Sequence, residues 1–113
     1  MLSLDSLKSA GADTAEGMAR CMNNEAFYLR MVRMALEDNK GIDALKAAVE
    51  SGDKKAGFEA AHGLKGVLAN LALTSYLKPV SEVTELYRAG ADADYAAYLK
   101  EILAEREKYT SLL

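Results

Sequence analysis

No segment of the chain alternates apolar with polar residues over a useful length, so the sequence offers no half-buried β-strand. Its most frequent residues, Ala, Leu, Glu and Lys, are strong helix formers, and Pro79 is its only proline. Half of the 113 residues are apolar, which is enough to build a core. The sequence therefore predicts an all-α protein with one domain over residues 1–113.

Capping residues and glycines divide the chain into five or six helical segments. Asp13 and Asn24 are candidate N-caps of two of them, and Asp53 or Ser51 of a long one that reaches about Leu73. The predicted segments are 3–10, 14–22, one from 25 to about 50 that Gly41 ends or kinks, 54–73, one with Pro79 in its first turn that ends at Gly90, and one from Asp92 or Asp94 onwards. Short connections between long helices favour an up-down antiparallel four-helix bundle with one or two short extra N-terminal helices.

Composition excludes several kinds of protein. One histidine and one cysteine cannot form a Cys/His metal site or an internal disulfide, so no metal site is predicted. A net charge of −3 without a basic run argues against nucleic acid as a partner. No apolar stretch is long enough to span a membrane and the first residues lack a secretory pattern, so we expect a cytoplasmic protein without a membrane partner.

The long segment 53–73 carries the only histidine, His62. At about 100° per residue, Leu64, Leu68 and Leu71 fall at about 200°, 240° and 180° from His62, so the imidazole is expected to face water. Lys65 and Gly66 follow three and four residues later and are its neighbours on the helix. A surface histidine with no role and a glycine that allows close helix packing are the competing interpretations. The angle of Gly66, away from the leucines, argues against the second.

The run Ala61-His62-Gly63-Leu64-Lys65-Gly66, continued to Leu71 and Ala72, resembles the signature of histidine-containing phosphotransfer (HPt) domains. The family pattern is roughly Ala-His-x-Leu-Lys-Gly, four further positions, an apolar residue and a small one. The stretch 17–28 is similar to the family's lead-in, and the resemblance extends from about residue 13 to 90. Ala72 departs mildly from the pattern, which usually has glycine there.

The resemblance implies a phosphorelay intermediate without kinase activity or ATP binding. His62 would accept a phosphoryl group through Nε2, Lys65 would offer a cation to its oxygens, and Gly66 would make room for the partner. The implied partners are response-regulator receiver domains and a hybrid histidine kinase. The chain has no cofactor of its own, and Mg²⁺ is expected on the receiver. A free-standing monomer is expected.

Residues near His62 on the helix are the candidates for docking the partner: Lys55, Phe58, Ala69 and Asn70. Partial burial against the adjacent helix is the preferred interpretation of Phe58, and Asn70 could equally hydrogen-bond at the helix surface. Cys21 and the methionines at 18, 22, 31 and 34 are predicted to fill the core.

Three alternatives remain beside the phosphorelay hypothesis. One is a non-catalytic helical adaptor or protein-binding module of the same fold, in which His62 is incidental. Another is the dimerisation domain of a sensor histidine kinase, but there an acidic residue usually follows the histidine, and here Gly63 does. The third is a conventional enzyme, which is the least favoured because no catalytic constellation accompanies His62.

Overall fold

A computed structural model describes residues 1–113 and confirms the all-α prediction: it contains no strand. Two short helices of seven residues precede five longer ones. The helices are α1 (Leu4–Ala10), α2 (Thr14–Arg20), α3 (Glu25–Glu37), α4 (Lys40–Ser51), α5 (Lys54–Asn70), α6 (Thr74–Arg88) and α7 (Tyr95–Thr110).

Helix starts follow the predicted capping residues closely. The side chains of Asp13, Asn24, Asp53 and Asp94 each accept a hydrogen bond from the backbone N–H three residues further on. These bonds satisfy N–H groups that have no partner inside the helix, which explains why α2, α3, α5 and α7 begin where they do. The alternatives Ser51 and Asp92 are therefore not the caps.

Two internal boundaries differ from the prediction. The break between α3 and α4 falls at Asp38 and Asn39 rather than at Gly41, because the backbone of Asp38 is extended; its carboxylate accepts the N–H of Lys40. Pro79 is not in the first turn of α6 but is its sixth residue and is buried. The helix starts earlier because the chain turns at Ala72, whose φ is +55°.

The core is a single cluster of 18 buried residues. α5 packs mainly against α4 and α6, and α7 contacts α6 and α4. Each of these four helices therefore contacts the next one along the chain, and the last contacts the first. Every helix except α2 contributes large side chains to the cluster: Leu7, Tyr28, Val32, Leu36, Ile42, Leu45, Leu68, Tyr76, Val80, Val83, Tyr87, Ile102 and Tyr109. α5 is thus held on two sides, and one of its faces stays open.

The methionines only partly follow the core prediction. Met18 and Met31 pack against the core, and Cys21 is buried as predicted. Met22 and Met34 are 82% and 54% exposed, so the prediction was wrong for both. Met22 adopts a left-handed backbone conformation in the turn after α2, and that turn leaves its side chain in solvent. None of the helices is both long enough and apolar enough to cross a membrane.

Candidate functional site

His62 lies near the middle of α5 and is exposed, as the angular argument predicted. The buried face of the helix consists of Gly57, Ala61 and Leu68, which pack towards α4 and α6. Since α5 is 17 residues long and capped at Asp53, it presents the imidazole from a rigid element. A nucleophile on such an element keeps its direction of approach to a partner.

The imidazole stacks on the ring of Phe58, one turn earlier on α5. The ring centroids are 5.3 Å apart and the planes differ by 14°. Phe58 itself is half-buried, and the guanidinium carbon of Arg88 on α6 lies 4.9 Å from the centre of its ring. Partial burial against the adjacent helix, the preferred interpretation of Phe58, is confirmed. The imidazole remains exposed in this stack.

Lys65 is already paired with a carboxylate. Its Nζ lies 3.5 Å from Oε2 of Glu85 on α6, and Oε1 of Glu85 accepts a hydrogen bond of 3.2 Å from Nε of Arg88. Desolvation alone would raise the pKa of Glu85, but the hydrogen bond and charge of Arg88, with Lys65, outweigh it and hold that pKa below its usual value. The Lys65 side chain is 36% exposed, so its ammonium group remains within reach of solvent.

Gly66 and its neighbour Gly63 leave the surface beside His62 bare. A Cβ added to either glycine meets no atom within 4 Å. Close helix packing, the competing explanation for Gly66, is therefore excluded. Gly57 is the packing glycine of α5 instead, because a Cβ added there would run into the ring of Tyr87. Mid-helix glycine costs about 1 kcal/mol relative to alanine, and packing does not recover that cost at Gly66.

The predicted docking residues fall beside two depressions that flank the His62 face of α5. Lys55 and Phe58 line a basic depression of about 260 Å³ towards α6, together with Lys54, Tyr87 and Arg88. Asn70 is exposed and lines an apolar groove of about 320 Å³ towards α3. The other residues of this groove are Met31, Met34, Ala35, Asp38, Val67 and Leu71. Ala69 is half-buried and lines neither depression.

Sequence reasoning missed two residues of this surface, Glu85 and Arg88. Their spacing of three on a predicted helix is a recognisable signal for an ion pair. What the spacing does not reveal is that the pair faces α5 at the level of Lys65 and Phe58. That placement depends on how α6 is aligned along α5, which is set by core packing across the turn at residues 71–73.

Comparisons of the chain with protein-family models, with curated proteins and with solved structures gave no match. The likeness to HPt domains thus depends on the motif around His62 and on the geometry described above. No group of three or more His, Cys, Asp or Glu side chains in the chain is arranged to hold a metal ion.

Proposed function

We propose that the chain is a phosphorelay intermediate of two-component signalling, similar to HPt domains. The observation that carries the proposal is the exposed imidazole of His62, which stands on α5 beside the bare backbone of Gly63 and Gly66. A receiver domain must bring its aspartyl phosphate into line with the attacking nitrogen, and side chains at these two positions would obstruct it. Two exposed glycines do not stabilise α5 itself, so their presence beside His62 favours a role in access.

The chemistry proposed is a reversible phosphoryl transfer. The lone pair of His62 Nε2 attacks phosphorus, and the bond between phosphorus and the aspartyl oxygen of the receiver breaks with its electrons left on the carboxylate. The proton on Nδ1 then leaves to water. Lys65, three residues along the same helix, offers its ammonium to the phosphoryl oxygens. The reaction needs positioning and charge stabilisation more than covalent assistance.

The proposed scaffold is an up-down antiparallel four-helix bundle formed by α4 to α7, with α3 extending its first helix. The ring of contacts from α4 through α5 and α6 to α7 and back supports this arrangement. Short connections at 52–53, 71–73 and 89–94 join consecutive helices, and such connections favour antiparallel neighbours.

The proposed partners are receiver domains, which carry the Mg²⁺, and a hybrid histidine kinase as the source of the phosphoryl group. The two depressions on either side of His62 suit such a partner. One offers the cations of Lys55 and Arg88 to an acidic surface, and the other offers Met34 and Val67, which are 54% and 45% exposed, to apolar side chains. The protein is proposed to act as a cytoplasmic monomer.

Labelling decides this proposal. Incubation with a phosphorylated receiver domain and Mg²⁺ is expected to give the protein an acid-labile, base-stable phosphate, and His62→Gln is expected to abolish it. His62 is the only histidine, so no other imidazole can take its place. Because His62 is exposed, the variant is expected to stay folded, and its circular dichroism spectrum should match that of wild type. Label that survives in His62→Gln, or a wild-type protein that no receiver of the source organism labels, would overturn the proposal.

A second candidate function is a non-catalytic adaptor of the same fold, favoured by the apolar groove towards α3. The two functions differ in what His62→Gln and Met34→Lys do. For an adaptor, Met34→Lys weakens partner binding and His62→Gln leaves the output in cells intact. For a phosphorelay intermediate, His62→Gln alone removes the output while partner binding persists.

A further inference from the structure

Three charged side chains form a cluster along the α6 side of His62. The Glu85 carboxylate lies between two cations, with one oxygen 3.5 Å from Nζ of Lys65 and the other 3.2 Å from Nε of Arg88. Each cation of the cluster is one step removed from the imidazole, Lys65 along α5 and Arg88 through the ring of Phe58. Lys65 is one turn from His62 on α5, and Arg88 covers the ring of Phe58 on which the imidazole stacks.

The three side chains are about half exposed, with exposed fractions of 36% for Lys65, 57% for Glu85 and 51% for Arg88. Ion pairs of this exposure contribute little net stability, so they exchange partners at low cost. A phosphoryl group on His62 brings up to two negative charges and three acceptor oxygens to the same edge. By its charge, such a group attracts the same kind of cation as Glu85 does and repels the Glu85 carboxylate.

We propose that Glu85 is a positioning residue that holds Lys65 and Arg88 beside His62 in the unphosphorylated protein, and that both cations exchange Glu85 for the phosphoryl oxygens when His62 is phosphorylated. The inference rests on the proposed phosphotransfer function and adds Arg88 as a second phosphoryl-binding cation. The carboxylate sets the strength of phosphate binding, because it lowers the net attraction of both cations for the product, and this effect outweighs the benefit of keeping the cations in place. Such an arrangement favours a reversible relay over a trap for phosphate.

Glu85→Gln tests this inference, with Glu82→Gln as the matched control. Glu82 is also an exposed glutamate of α6 and is in no ion pair, so both variants change the net charge equally. The probe is phosphoramidate, which needs no partner protein: Nε2 of His62 forms a bond to phosphorus, the P–N bond breaks, ammonia leaves and the Nδ1 proton goes to water. The rate of His62 labelling is measured at low and high salt. The equilibrium with a phosphorylated receiver is measured in parallel.

Glu85→Gln is expected to be labelled roughly two- to fivefold faster than wild type and to shift the receiver equilibrium towards phosphorylated His62 by a similar factor. High salt should remove the gain, since exposed charges are screened. Adding Lys65→Ala or Arg88→Gln to Glu85→Gln should remove most of it. If Glu85 had a purely structural role, Glu85→Gln would change the forward and reverse transfer rates by the same factor and leave the equilibrium constant with the receiver unchanged.

Equal rates in Glu85→Gln and wild type, slower labelling, or the same gain in Glu82→Gln would overturn the inference while leaving the phosphotransfer function intact. If Glu85→Gln is poorly folded, Glu85→Asp replaces it, because the shorter side chain moves the carboxylate away from the cations. Its labelling rate is then expected to lie between that of wild type and the value predicted for Glu85→Gln, and a rate equal to that of wild type overturns the inference. A wild-type protein labelled neither by phosphoramidate nor by a receiver would instead overturn the proposed function.

Discussion

The glycines of α5 differ in their surroundings, and this difference distinguishes a glycine needed for helix packing from glycines that leave the surface open. Gly57 is buried against Tyr87, whereas Gly63 and Gly66 face open space. A mid-helix glycine lowers helix stability, so an exposed one gains nothing from the protein's own fold. Gly66 lies one turn after the exposed imidazole, and the lack of neighbours there supports the proposal that it leaves room for a partner.

A substitution at Gly66 separates stability from transfer. Gly66→Leu is expected to leave the free energy of unfolding unchanged or to raise it by up to about 1 kcal/mol, because leucine is the better helix former. Phosphotransfer from a receiver should fall by about 100-fold, since a misplacement of about 1 Å has effects of this order. Denaturant unfolding and transfer kinetics measure the two effects. A large loss of stability with normal transfer would show that the glycine serves packing instead.

The exposure of His62 was predictable because helical periodicity is a local property, and the predicted helix places Leu64, Leu68 and Leu71 opposite the imidazole. Lys65 was predictable as a neighbour for the same reason. Its pairing with Glu85 was not, since 20 positions and a turn separate the two in the chain. The cluster therefore belongs to tertiary structure, and only the helix-borne half of the site could be inferred from the sequence.

Among the helices, α5 and α6 approach each other closely where Gly57 faces Tyr87. The Tyr87 ring also stacks on Tyr95 of α7, with centroids 4.0 Å apart and planes within 2° of each other. Beside this stack, Nζ of Lys54 lies 2.6 Å from a carboxylate oxygen of Asp92 in the connection before α7. The start of α5 is thus fixed to both following helices, and this positions the helix that carries His62.

The same substitution at two positions of α5 tests that contact. Gly57→Ala is expected to lower the free energy of unfolding by about 1–3 kcal/mol, because the added methyl group overpacks the Tyr87 ring. Gly63→Ala, the matched control in open space, should raise it by about 1 kcal/mol through helix propensity alone. Denaturant unfolding of both variants measures the difference. Equal effects at the two positions would contradict the close contact between α5 and α6.

Helix starts were predictable where an N-cap side chain accepts the N–H three residues further on, and not at α4 and α6, whose N-caps make no such bond. Asp13, Asn24 and Asp53 cap the helices that the sequence assigns to them, because capping is a contact over three residues. Pro79 misled the prediction of α6. Its ring suits a first turn, but the chain already turns at Ala72, so the helix starts at Thr74, ahead of the proline.

Over the whole molecule, Tyr28 joins the N-terminal helices to the helix that carries His62. Its hydroxyl donates a hydrogen bond of 2.8 Å to the carbonyl of Leu71, which follows the end of α5 and is 43 positions away in the chain. Its ring lies against Gly17 of α2, where a Cβ would come within 2.5 Å. Desolvation, and then the nearby groups of Cys21, Tyr109 and Asp13, raise the pKa of Tyr28 to about 12.

Burial of the Tyr28 hydroxyl makes stability depend on alkaline pH, because desolvation is the largest cause of its raised pKa. The folded-state pKa of Tyr28 lies above the ordinary 10.0, so its contribution is complete below pH 10 and is lost as pH rises towards about 12. Tyr28→Phe should lower the free energy of unfolding at pH 7 by about 1–3 kcal/mol, because the buried Leu71 carbonyl loses its partner. It should also reduce the loss of stability between pH 10 and 12, without removing it, since burial raises the pKa values of Tyr76, Tyr87 and Tyr109 as well. Urea unfolding at pH 7 and between pH 10 and 12 measures both effects, and Tyr98→Phe, at a half-buried tyrosine, is the control. If the free energy of unfolding of Tyr28→Phe falls as steeply with pH as that of wild type, another tyrosine causes the pH dependence.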